Sequence, residues 1–67
     1  MKTDKFDVIA YTGDKSLKLA TVYSKGLAYI VAEKMVDVYA LTADRITVQK
    51  SGSGFIEYSM FTGKAKA

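Results

Sequence analysis

"GLAYIVAEKMVDVYAL", residues 26–41, is the longest apolar-rich stretch of the chain and holds three charged residues, Glu33, Lys34 and Asp37. Whether it is strand or helix decides the fold. As a strand it places Glu33 and Asp37 on one face and Lys34 on the other, so neither face is uniformly apolar. As a helix, turning about 100° per residue, it gathers Glu33 and Asp37 into one seam. Ser24 stands just before it as an N-cap, its hydroxyl able to accept from a free N–H of the first turn. These features favour a helix over 25–41, against the β-propensity of its Val, Ile and Tyr residues.

With Leu27 at the origin of a helical wheel, Val38, Val31, Met35, Ala28, Tyr39 and Ala32 sweep round one side. Leu41 and Ile30 close the other, with Lys34 between them and Leu27. Only Tyr29, Ala40, Glu33 and Asp37 fill the remaining arc, with Val36 at its border. A helix covering one sheet needs an apolar stripe of about 100°, and this one has roughly twice that. Exposed small apolar residues would account for part of the excess. A second molecule would account for it more fully. The reading expects one flank against a sheet and the other, around Tyr29, Ala32, Val36 and Tyr39, open to a partner.

Working outward, "KFDVIAYT" (5–12) and "SLKLATVY" (16–23) are rich in β-branched and aromatic residues and flank Gly13-Asp14-Lys15. They read as a β-hairpin. Phe6, Val8, Ala10, Leu17, Leu19 and Thr21 would form its core face. Asp7, Ile9, Tyr11, Lys18, Ala20 and Val22 would face outward. "RITVQK" (45–50) and "FIEYSMF" (55–61) form a second hairpin across "SGSG", with Ile46, Val48, Ile56, Tyr58 and Met60 inward. Residues 62–67 read as a frayed basic tail. The whole chain, 1–67, reads as a single α+β domain of order β-β-α-β-β. One helix packs on one face of a four-stranded, mainly antiparallel sheet. In layout this resembles the small β-grasp domains.

At 67 residues, with neither Cys nor His, the chain has no disulfide, thiolate or imidazole site to staple so small a core. No metal and no cofactor is expected. Broken by Asp4, Asp7 and Asp14, the N-terminus does not read as a signal peptide, and no run is long enough to span a bilayer. Together with the lack of Cys, this points to a cytoplasmic protein. The net charge of +3 comes from nine lysines, spread along the chain, and a single arginine, Arg45. That pattern suits solubility better than the Arg-rich cluster of a dedicated nucleic-acid binder.

Catalysis at neutral pH leans on His and Cys, and both are absent. Glu33 and Asp37, one turn apart, could pair for acid–base work, but they read first as the solvated seam of an apolar helix. "GSG" at 52–54 lacks the later glycine and the following helix of a dinucleotide fingerprint. "GK" at 63–64 lacks the leading glycine of a phosphate loop. The expectation is therefore a non-enzyme.

"SGSGFIEY" (51–58) resembles the first ribonucleoprotein motif of RNA-recognition-motif domains, with Gly52, Gly54, Phe55, Ile56 and Tyr58 at matching positions. Ser51 replaces the basic residue and Ser53 the second stacking aromatic. The chain is also too short for the helix and strand that follow the motif in that family. The resemblance implies that Phe55 points outward to stack a base while Ile56 and Tyr58 point in.

Two functional readings follow. The first is a small protein-binding module (a regulator, inhibitor or accessory subunit) that works through exposed apolar and aromatic surface as a homodimer. Its contacts would come from Tyr29, Ala32, Val36 and Tyr39 of the helix, or Tyr11, Phe55 and Phe61 of the sheet. The second is weak single-stranded nucleic-acid binding on the outer sheet face, through Lys18, Arg45, Lys50 and Phe55.

Overall fold

Strands β1 (Phe6–Thr12) and β2 (Lys15–Val22) form the first hairpin, α1 (Lys25–Val38) follows, and β3 (Arg45–Lys50) and β4 (Ile56–Phe61) form the second. The computed structural model describes residues 4–63, so most of the basic tail lies outside the described residues. The element order and the single helix on one sheet face are those expected. Sheet order is β2-β1-β3-β4, and all three pairings are antiparallel.

The hairpins join through β1 and β3, so β2 and β3 run parallel with β1 between them. The chain must therefore return along the sheet from the end of β2 to the start of β3. Fourteen helical residues cover about 21 Å at 1.5 Å each. Six or seven strand residues cover about the same. The helix thus spans the sheet once.

Local chemistry fixes the turns. β1 and β2 pair up to Thr12 opposite Lys15, leaving a two-residue loop whose first member, Gly13, has φ +62°. Only glycine adopts that conformation without strain. Ser24 caps α1, its Oγ accepting from the Leu27 N–H at 3.3 Å. The helix ends at Val38, short of residue 41. Beyond it, the N–H groups of Thr42 and Ala43 both donate to the Tyr39 carbonyl, at 3.1 and 3.0 Å. This turn carries Ala43 into the core.

Both hairpins carry an irregularity that changes which residues face inward. In β2 the register shifts so that Val8 faces Ala20 while Ile9 faces Lys18, leaving Leu19 as the extra residue. Beyond that bulge the strand's phase is inverted. Ala20 and Val22 pack toward the core, and Thr21 is outward, its hydroxyl donating to Asp7 at 2.8 Å. This corrects the expected faces. In β4 the shift leaves Glu57 extra, pairing Tyr58 with Val48 and Ile56 with Gln49. Ile56 is accordingly exposed and belongs to the outer face.

The core lies between α1 and the inner sheet face and consists of Phe6, Val8, Ala10, Ala28, Ala32, Ala43, Ile46 and Val48. Four of these eight are alanines. The helix therefore sits close to the sheet through Ala28 and Ala32, both 0 % exposed. Two contacts brace its β4 side. The Tyr29 and Tyr58 rings lie 4.8 Å apart at 59°, and Lys25 pairs with Glu57 at 3.1 Å. The hydrogen bond to Glu57, with its charge, raises the Lys25 ammonium above its ordinary 10.5.

Asp44 and Thr62 tie the sheet's far end. The Asp44 N–H donates to the Tyr11 carbonyl, and its Oδ2 accepts from the Gly13 N–H, both at 2.7 Å. Buried Thr62 donates its hydroxyl to the Ala43 and Asp44 carbonyls and its N–H to Asp44. The first residue of the expected frayed tail is thus held in place.

Candidate functional site

The fold leaves two mixed surfaces open: the outer sheet face and the outward side of α1. Cross-strand pairing arranges the sheet face in three rows. Ser16, Tyr11, Arg45 and Phe61 form one, Lys18, Ile9, Thr47 and Ser59 the next, and Thr21, Asp7, Gln49 and Ile56 the third. Tyr11 and Gln49 belong to the outer two rows, yet the Gln49 amide donates to the Tyr11 hydroxyl across the middle one. The same amide donates to Thr47 Oγ1 at 3.3 Å. Beneath this bridge Thr47, although on the outer face, is wholly buried. The Arg45 guanidinium stacks over the Tyr11 ring at 5.0 Å from its centroid, a cation–π arrangement.

Of the expected nucleic-acid contacts, Lys18 and Arg45 do share this face in adjacent rows. Lys50 does not. It pairs in register with Phe6, a core residue, and its ammonium meets Asp4 at 3.7 Å. Phe55 precedes β4, its carbonyl accepting from the Lys50 N–H. It is exposed, but the bulge gives the outward position to Ile56. The motif-like phase expected for "SGSGFIEY", with Ile56 inward, is therefore corrected, while Tyr58 does lie inward of Val48's row. Phe61 stands exposed at the outer end of Arg45's row.

On the helix the expected open flank is the covered one. Ala32 is fully buried, and Val36 and Tyr39 pack against the core, so these three belong to the sheet contact. Tyr29 is only partly exposed and is engaged by Tyr58. The open side carries Leu27, Ile30, Val38 and, in the following turn, Leu41, which is 86 % exposed. Lys34 explains the rotation. It sits in the middle of this second apolar arc, and turning that arc to the sheet would bury an unpaired ammonium. That signal was present in the sequence.

Beside this stripe an open groove is lined by Ile30, Glu33, Lys34, Val36, Asp37 and Met60. Glu33 and Asp37 thus flank Lys34 at the surface. Four further acids serve structure: Asp4 with Lys50, Asp7 with Thr21, Asp44 with Gly13 and Glu57 with Lys25. Among the described residues no three metal-ligating side chains converge, and no helix is long and apolar enough to cross a membrane. Compared with protein-family models, curated proteins and solved structures, the chain gives no match.

Proposed function

We propose that this protein is a small non-enzymatic interaction module that works through apolar surface and pairs with itself. One observation carries the reading: side-chain size is inverted across the fold. Half of the buried core is alanine, while Leu17, Leu27, Ile30, Val38, Leu41, Ile56 and Phe61 are each about half exposed or more. Scattered apolar residues are ordinary on any surface, but concentration on one helix side marks a contact site. A domain of this size also gains proportionally more than a large one from sharing a core.

Sedimentation equilibrium over a concentration series tests it. The apparent mass is expected to rise from 7.3 kDa toward twice that value. A fixed 7.3 kDa at several hundred micromolar would remove self-pairing.

The row containing Tyr11, Arg45 and Phe61, with Lys18 adjacent, favours a second reading, single-stranded nucleic acid. Support for it is weaker, because Arg45 already covers a face of Tyr11 and because the cations are dispersed over several surfaces. A gel shift at low salt with mixed-sequence single strands decides it. Absence of binding at tens of micromolar eliminates this reading.

A further inference from the structure

The two edges of the sheet are not alike. β2, at one edge, carries Lys15, Lys18 and a bulge at Leu19, devices that keep an edge from pairing with another chain. β4, at the other, reads IEYSMF. It has no lysine and no proline, and its one acid, Glu57, is held by Lys25. Its bulge lies at Glu57, and from Tyr58 to Phe61 the register with β3 is unbroken. Opposed residues of an antiparallel pair alternate between exchanging backbone hydrogen bonds and not. The Thr62 N–H donates to the Asp44 carbonyl, so Met60 and Tyr58 also turn their backbone groups to β3. Ser59 and Phe61 turn theirs to the open edge, where no strand of the sheet pairs with them.

Beside this edge runs the groove between α1 and β4. Ile30, Val36 and Met60 give it apolar walls, and Glu33, Lys34 and Asp37 line it with charge. The Tyr29–Tyr58 and Lys25–Glu57 contacts stand at the end nearer the start of α1. Among the described residues no cation is paired with Glu33 or Asp37.

We propose that β4 is a docking edge for an extended segment of a partner protein, which adds a strand to the sheet and sets a lysine or arginine side chain in the groove. Backbone chemistry selects the conformation. The N–H and C=O groups of Ser59 and Phe61, two residues apart, match the repeat of a strand. Side-chain alternation selects the position: the partner residue opposite Met60 points to the inner face, as Met60 does, and so into the groove. The groove selects the residue. Ile30, Val36 and Met60 take an aliphatic stem, and the two carboxylates, outnumbering Lys34, take the cation at its end. Leu27 and Val38 lie outside the groove, so the proposal does not depend on self-pairing.

The test is a nuclear magnetic resonance titration of the dilute full chain with a capped heptapeptide of alternating threonine and valine, carrying arginine at its centre. The Ser59 and Phe61 amides should shift and gain protection from hydrogen exchange, and the Met60 methyl should shift with them. Glutamate at the centre should weaken binding about ten-fold. Glu33→Gln/Asp37→Asn should erase that preference and leave the protection at Ser59 and Phe61. The peptide can be N-methylated at alternate amides in two ways. One version should bind like the parent and the other not at all, because only one edge of the peptide faces β4. No shift at Ser59 or Phe61 with about 1 mM peptide overturns the proposal. So does equal binding of the arginine and glutamate peptides, or binding indifferent to both methylation patterns. Ser59 and Phe61 amides already protected without peptide would give the edge to a second copy and overturn it as well.

Discussion

On the outer face of the sheet, Tyr11, Gln49, Thr47 and Arg45 engage one another. On the outward side of α1, Leu27, Ile30 and Val38 stand in solvent with Lys34 among them. Both surfaces mix apolar bulk with a cation, so composition does not separate them. The difference is closure. The sheet face uses its polar groups to cover its own middle row, burying Thr47 without a second layer of structure. The outward side of α1 has no opposing strand, and its Leu27, Ile30 and Val38 are each half exposed or more. The sheet face closes on itself, and the outward side of α1 stays open to solvent.

The comparison can be broken hardest at the covered side of α1. Ala32→Leu forces a larger side chain into a fully buried contact and should cost about 1–3 kcal/mol in urea unfolding, the usual penalty of overpacking. If it is neutral, the helix does not lie on the sheet as described. On the sheet face, Tyr11→Phe removes the hydroxyl bond to Gln49 and should cost about 0.5–1.5 kcal/mol. It should also speed hydrogen exchange at the Gln49 side-chain amide. An unchanged protein would mean the face does not close on itself.

On the open side, Ile30→Ser should change monomer stability by less than about 0.5 kcal/mol in dilute solution, while shifting the sedimentation profile toward monomer when concentrated. A large loss in dilute solution would place Ile30 in the core. The smallest effect concerns Lys25. Its ammonium is held above the usual 10.5 by Glu57, so its contribution is complete below the unfolded value and is lost as pH climbs through the folded one. The wild type and Lys25→Met should therefore run parallel in stability near neutrality and converge only above pH 10.5.

Much of the fold was legible because its signals are local. Ser24 ahead of an apolar run, Gly13 between alternating segments and "SGSG" between two more each act within a few residues. The bulges at Leu19 and Glu57 were not, because a bulge is a relation between two strands. Yet β2 carried a hint. Lys18 and Thr21 are its outward polar residues, and an odd spacing of three cannot keep both on one face of a regular strand. The rotation of α1 was the other failure. With apolar residues on nearly every side, periodicity has no preferred direction, and desolvation of Lys34 decides the matter. Placing Ala32, Val36 and Tyr39 at an interface followed from weighing apolar area and giving that single cation too little weight.

The central claim is that two copies meet along the outward side of α1 that carries Leu27, Ile30 and Val38. An isotope-filtered nuclear Overhauser experiment on a mixture of labelled and unlabelled chains tests it most directly. Within one helix Ile30 and Val38 are eight residues, or about 12 Å, apart, too far for a cross-peak. The account predicts intermolecular cross-peaks among the Leu27, Ile30 and Val38 methyls of the two copies. In a sample concentrated enough to be dimeric, the absence of any contact between these residues would contradict the account outright.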